Sequence, residues 1–218
     1  MRNERVILGK NCSYSVDSRV TGINNNRVIV GGSGTGKTVS ILEPELLELL
    51  RTGESSMIVV ATKRRLVEKY SYPLKRAGYR VYDLNFAEPE KSDCCYDPMK
   101  YVRTEEDITD LASSIVLSNE KKANARLDPF WDDSAISLLS AECALVLERG
   151  EPTFADVVRI QSNMTLKEGA KSGIETSMDA TFSRLMDRKP DCCAGKYWRT
   201  FQENPVRTAK CVFTALNT

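Results

Sequence analysis

The segment Gly31-Gly32-Ser33-Gly34-Thr35-Gly36-Lys37-Thr38 matches G-x-x-x-x-G-K-[ST], the pattern of a phosphate-binding loop. Its glycines permit backbone angles that turn successive N–H groups inward as an anion nest, and a helix that starts behind them points its positive end at bound phosphate. In such a loop Lys37 neutralises charge between the β- and γ-phosphates, and Thr38 places its hydroxyl on the Mg²⁺ that travels with the nucleotide. Gly31, Gly32, Ser33, Gly34, Thr35, Gly36, Lys37 and Thr38 are therefore the expected nucleotide site, with Mg²⁺ held by Thr38 through the nucleotide. The loop does not encode which base is bound, although no Asn-Lys-x-Asp segment supports a GTPase. The alternative reading of the same residues is a glycine turn with an exposed lysine.

Hydrolysis needs an acid at a neighbouring strand end to organise Mg²⁺ and its water, and a group to orient that water. The apolar run at residues 56–61 leads into Thr62 and Lys63, with no acid. Asp83, between Tyr82 and Leu84, and Glu148, after Ala144-Leu145-Val146-Leu147, are the two candidates, each with a plainer reading as a strand-end polar residue or a solvated helix end. No complete active site is visible, and no catalytic residue is assigned. The cluster Lys63-Arg64-Arg65, continued by Lys69, Lys75 and Arg76, suits DNA or phosphate contact, or equally the solvated face of a helix. Seven cysteines include the adjacent pairs Cys94-Cys95 and Cys192-Cys193 but no Cys-x-x-Cys, and histidine is absent. They read as reduced thiols, because neighbouring cysteines do not easily converge on one tetrahedral metal.

The elements that position the loop follow from periodicity. Arg27-Val28-Ile29-Val30, residues 56–61 and residues 79–84 are strand-like apolar runs. Between them lie two helical stretches, one from Lys37 carrying Ile41, Leu42, Leu46, Leu47 and Leu50 and interrupted at Pro44, the other near residues 65–76 ending at Gly78. Strand, helix, strand, helix, strand predicts a parallel sheet with right-handed crossovers. Beyond about residue 103 the texture becomes all-α. Helices are expected after the acidic start Thr104-Glu105-Glu106-Asp107, over residues 132–147 packed through Leu138, Leu139, Leu145 and Val146, and over 154–160, 174–186 and 206–216, with a polar loop at 118–127. The domain boundary is placed near residue 120.

The chain has 218 residues, enough to bury roughly 70% of the surface its unfolded form exposes. With 41% hydrophobic and 28% charged residues, the composition excludes long disorder and collagen-like repeats. Thirty-one basic against 30 acidic residues leave a net charge of +1, so any polyanion site is local. No apolar run reaches the roughly 18 to 20 residues of a spanning helix, and Met-Arg-Asn-Glu-Arg is not a secretory signal, which together predict a cytoplasmic chain.

The residues flanking the loop resemble the coupling proteins of type IV secretion systems, the TraG/TraD-like conjugative DNA-transfer ATPases. The resemblance is carried by Thr21-Gly22-Ile23-Asn24-Asn25-Asn26 before the loop, by Gly78-Tyr79-Arg80-Val81-Tyr82 with Leu84-Asn85, and by Ser92, Tyr96, Asp97-Pro98 and Tyr101-Val102. It continues through Asp128-Pro129-Phe130-Trp131-Asp132 with Leu138-Leu139, Phe201 and Asn204-Pro205-Val206-Arg207-Thr208. It implies an α/β fold: the N-terminal part of a RecA-like P-loop NTPase over residues 1–120 and an incomplete all-α insertion over 121–218. It also implies ATP and Mg²⁺ as cofactors, DNA or a relaxase-type nucleoprotein as substrate, and secretion-channel components as partners. A ring of identical subunits at the cytoplasmic face of the plasma membrane is implied for a full-length form.

One departure stands out. Where that family reads Asp-Pro-Lys-Gly-Glu-Leu, this chain has Ala61-Thr62-Lys63-Arg64-Arg65-Leu66, and the later acidic pair of the Walker B strand is not found. The expected function is thus the ATP-binding portion of a coupling protein, catalytically incomplete as this chain. The alternative is a non-catalytic interaction module with a vestigial nucleotide site. A small P-loop kinase fits less well, for want of a second phosphate-acceptor constellation.

Overall fold

The computed structural model describes residues 4–118, 129–150, 152–169 and 173–217. The expected boundary near 120, most of the polar loop at 118–127, and Asp128 lie outside the described residues. The chain divides into two compact units, Met1–Cys95 and Tyr96–Thr218.

The first unit opens with an antiparallel hairpin, β1 (Arg5–Gly9) on β2 (Cys12–Ser15), in which Val6 faces Tyr14 and Ile7 faces Ser13. A short helix, α1 (Ser18–Thr21), follows. The Asp17 carboxylate accepts the Arg19 N–H at its start, and Gly22, at φ 69°, closes it. After the loop come α2 (Glu43–Thr52) and α3 (Arg65–Arg76). Their apolar stripes meet in a small core of Leu46, Leu49 and Tyr70, with Leu42, Leu50, Leu66, Leu74 and Tyr79 against it. Glu48 of α2 accepts the Arg5 N–H at 2.9 Å and the Arg51 guanidinium, which ties the hairpin to the helix.

The three apolar runs at 27–30, 56–61 and 79–84 form neither helix nor paired strand, no ladder joins them among the described residues, and the parallel sheet expected from the sequence is not shown. The physical reason is that strand propensity sets a local backbone conformation, whereas pairing requires another strand alongside. These segments do not supply one to each other. Val28, Val30, Ile58 and Val60 accordingly stand 90% or more exposed.

The second unit is built around α5 (Pro129–Glu148), preceded by α4 (Glu105–Leu117). Then come α6 (Phe154–Asn163), the antiparallel hairpin β3 (Leu166–Glu168) and β4 (Ile174–Thr176), α7 (Asp179–Arg188), α8 (Cys193–Gln202) and α9 (Val206–Leu216). A helix that is apolar on all sides must be buried on all sides. Leu138, Leu139, Ala141, Cys143, Leu145 and Val146 of α5 are buried, with α4, α6, α8 and α9 packed around it. Phe182 of α7 stacks on Trp198 of α8 at 4.0 Å between ring centroids.

Two helical expectations need correction. Ile174 does not open a helix: residues 174–176 form β4, paired from Leu166↔Thr176 to Glu168↔Ile174, and α7 starts only at Asp179. The lobe expected to be all-α therefore contains a hairpin. Its strands carry β-branched Ile174 and Thr176, and the Asp179 carboxylate takes the Thr176 N–H and hydroxyl at 2.7 and 2.9 Å, which favours a turn over a helix at 177–178. The other omission is α8, whose buried Ala194, Gly195, Trp198 and Phe201 sit at helical spacing. Among the described residues no helix is long and apolar enough to cross a membrane.

Candidate nucleotide site

Residues 31–38 close into a compact loop. Ser33 and Gly34 make the turn, and Gly34 and Gly36 adopt φ of 78° and 84°, a region that side chains rarely enter. A Cβ at Gly31 would come within 2.8 Å of Thr35 Oγ1, so the close approach of the loop's two limbs also depends on a glycine. Thr35 Oγ1 donates to the Gly32 carbonyl at 2.9 Å. The Lys37 ammonium folds back over the loop and donates to the Gly31 and Gly32 carbonyls, at 2.6 Å each.

The helix behind the loop starts at Lys37, where the sequence places it, but with an unusual first turn. Thr38–Leu42 form a π-turn, in which the Glu43 N–H reaches back to the Thr38 carbonyl. Proline lacks an N–H and clashes with the carbonyl four residues before it. A wider turn ahead of Pro44 absorbs that conflict, and α2 continues without a break. The N–H groups of Gly34, Gly36, Lys37 and Thr38 donate to no group among the described residues. Four donors on one glycine-rich loop at a helix N-terminus are thus left open.

The candidate acids are both engaged. Asp83 receives a bidentate Arg64 guanidinium at 2.8 and 2.6 Å, while its own N–H donates to Asp93 Oδ1 at 2.7 Å. That N–H, aided by Lys75 at 3.2 Å, holds the Asp93 carboxyl below its ordinary range. Glu148 accepts from Lys189 at 2.5 Å. Of the six basic residues from Lys63 to Arg76, Arg64, Lys69 and Lys75 are committed to Asp83, Glu43 and Asp93. Half of the cluster is therefore committed to internal pairs. Glu43 went unnoticed in the sequence, yet it binds both Lys69 and Tyr70, the latter at 2.8 Å, and the Lys69 contact leads in lowering its pKa. An acid one helical turn past the phosphate loop was the available signal.

All seven cysteines are free thiols, and Cys143 is buried. No group of three or more potential ligands for a metal ion occurs among the described residues. Trp131 packs on the core of the second unit, and Phe130 is about half exposed.

Comparison with known proteins fits this arrangement. Protein VirD4 of Agrobacterium fabrum (strain C58 / ATCC 33970) is 27% identical over 159 residues, covering 69% of this chain and 22% of that protein. Protein VirD4 of Rhizobium rhizogenes is 26% identical over the same length, with the same shares covered. The chain thus spans less than a quarter of the length of these relatives. No solved structure matches the chain at a significant level. The family model for type IV secretory system conjugative DNA transfer matches residues 3–209, nearly the whole sequence, and the chain belongs to that family of type IV secretion coupling proteins.

Proposed function

We propose that residues 31–38 bind the phosphates of ATP with its Mg²⁺, and that this chain is the nucleotide-binding portion of a coupling protein that moves DNA or nucleoprotein to a secretion channel. The observation that carries the reading is the closed loop with four unpartnered N–H donors and Lys37 folded over it. The residues present fit the ligand: the N–H groups of Gly34, Gly36, Lys37 and Thr38 suit phosphate oxygens, the Lys37 ammonium supplies positive charge, and the Thr38 hydroxyl is available to Mg²⁺. Bound Mg·ATP supplies an activated phosphoryl group. These residues bind and orient it.

The domain reading that goes with this proposal is the N-terminal part of a RecA-like NTPase over residues 1–120 and an incomplete helical insertion over 121–218. The apolar segments 27–30, 56–61 and 79–84 are the candidates for its sheet strands, a reading supported at 27–30 and 56–61 by backbone groups with no partner among the described residues and by uncovered apolar side chains. Assembly into a ring at the cytoplasmic face of the membrane, with relaxase-type nucleoprotein and channel components as partners, belongs to the full-length form.

A second reading, a non-catalytic module that retains the loop, is favoured by one observation. Asp83 and Glu148, the carboxylates considered for metal organisation, are each held by a cation. Binding requires only the cradle, whereas turnover requires stabilised transition-state charge. Loss of an arginine finger alone costs about 10³- to 10⁵-fold in related machines. The chain is therefore expected to bind Mg·ATP weakly and to hydrolyse it negligibly.

Calorimetry and phosphate release on the parent chain and Lys37→Ala test this. A charge-assisted hydrogen bond contributes roughly 1.5 to 3 kcal/mol, so Lys37→Ala should weaken binding by about 10- to 150-fold. Unchanged binding would remove the loop assignment. Turnover near about one per second, abolished by Lys37→Ala, would overturn the non-hydrolysing reading.

A further inference from the structure

Residues 96–103, at the start of the second unit, present two aromatic rings from a clamped turn. Pro98–Lys100 form a single 3₁₀ turn. Asp97 Oδ1 accepts the Met99 N–H at 3.0 Å, and the same carboxylate accepts the Phe154 N–H at the start of α6, at 3.1 and 3.2 Å. Met99 and Val102 are 1% and 7% exposed and belong to the core of the unit. The turn is thus fixed from inside by two apolar anchors and one carboxylate. The residues that bracket it behave in the opposite way: Tyr96 and Tyr101 are 60% and 67% exposed and stack on each other, with ring centroids 5.5 Å apart and planes 21° from parallel.

Exposed aromatic area on a rigid support is characteristic of a recognition surface, because order has been imposed without burial. Charge narrows the partner. Lys100 and Arg103 are exposed, and neither makes an ion pair with a described residue. The nearby acids are partly committed: Asp107 caps α4, and Glu105 holds Lys196 at 2.8 Å. Stacked rings beside exposed cations, of which Arg103 acts on Asp107 only through space, match a strand whose bases offer free π-faces and whose backbone is anionic. In a duplex those faces are occupied by neighbouring bases.

We propose that Tyr96 and Tyr101 form a stacking platform for single-stranded DNA, with Lys100 and Arg103 meeting its phosphates. The proposal rests on the DNA-transfer reading above and assigns that reading a surface.

The test is fluorescence anisotropy of a labelled oligothymidylate of about 20 nucleotides with the full chain, and of a duplex of the same length. Stacking contributes about 1 to 3 kcal/mol per base, so Tyr96→Ala with Tyr101→Ala should weaken single-strand binding at least about fivefold. Tyr96→Phe with Tyr101→Phe, which keeps both rings, should stay within about twofold of the parent. Lys100→Ala with Arg103→Ala should flatten the salt dependence by about 1.4 in log–log slope. Circular dichroism and Mg·ATP binding, both unchanged in the tyrosine variants, confirm that the chain still folds.

If the parent binds single strands and the alanine pair binds them equally well, the platform is wrong and the DNA reading stands. If the parent prefers duplex, or if duplex and single strand lose affinity equally, stacking is also excluded. A parent that binds neither form of DNA overturns both the platform and DNA handling by this chain.

Discussion

Glu142 lies midway along α5 with no exposed surface, beside Gln161 of α6. With its amide oriented to suit its neighbours, Gln161 donates to the Glu142 carboxyl oxygens at 2.5 and 3.1 Å and accepts from Asn217, which ends α9, at 3.2 Å. No cation faces this carboxyl from α4, α6, α8 or α9, and burial pushes its pKa well above the ordinary 4.5. The neighbouring Cys143 thiol is pushed up to about 12, chiefly by its own burial. A carboxyl whose pKa rises on folding stabilises the native state fully below its unfolded value and loses that contribution as pH climbs towards the raised native value. Stability should therefore fall as pH rises above about 5, with a slope of up to about 1.4 kcal/mol per pH unit. The chain has no histidine to obscure that window. Glu142→Gln should remove the slope, so that its stability relative to the parent rises with pH, read from urea midpoints. Parallel pH profiles for the two proteins would show that Glu142 is not the source. Asp83 solves the same problem differently, by recruiting Arg64 at the partly exposed rim of its unit.

At the scale of elements, termini and turns account for most of what differs from a simple periodic reading. The start of α4 is a complete capping box: the Asp107 N–H donates to Thr104 Oγ1 at 3.1 Å, and Asp107 Oδ2 takes the Thr104 N–H at 2.8 Å. Both bonds satisfy donors that the helix leaves open. Thr104→Ala should cost about 1 kcal/mol, seen as a lower denaturant midpoint with an unchanged slope. A loss below about 0.3 kcal/mol would mean that burial of Ile108, Ala112 and Val116 holds α4 without its cap. The π-turn before Pro44 and the hairpin in place of a helix at Ile174 have the same origin. Local hydrogen-bond geometry outweighs an apolar spacing that would have suited an ordinary helix.

For the whole molecule, the contrast lies in how completely each unit covers its apolar residues. The second surrounds α5 with four helices. The first leaves Ile58 and Val60 at 96% and 94% exposure and Val28 and Val30 close behind, on segments whose backbone has no partner among the described residues. Such rows are templates for further strands and promote self-association. The chain is expected to associate with rising concentration in light scattering, and Ile58→Thr with Val60→Thr to reduce that association. A monodisperse parent at high concentration would contradict it.

The closed turn of residues 31–38 and the onset of the following helix were legible in the sequence because glycine spacing acts on the backbone within eight residues. The helices at 105–117, 154–163 and 206–216 were legible because their apolar periodicity is also local. The neutral network of Glu142, Gln161 and Asn217 was not, since its members are up to 75 residues apart and meet only when α5, α6 and α9 pack. Nor was the capture of Asp83 by Arg64, a contact between residues 19 apart that turned a candidate metal acid into half of an ion pair. Residues 27–30, 56–61 and 79–84 mark the limit most clearly. Side-chain branching favours extended backbone there, but whether such a segment becomes a strand in a sheet depends on what lies beside it, and only the tertiary structure decides that.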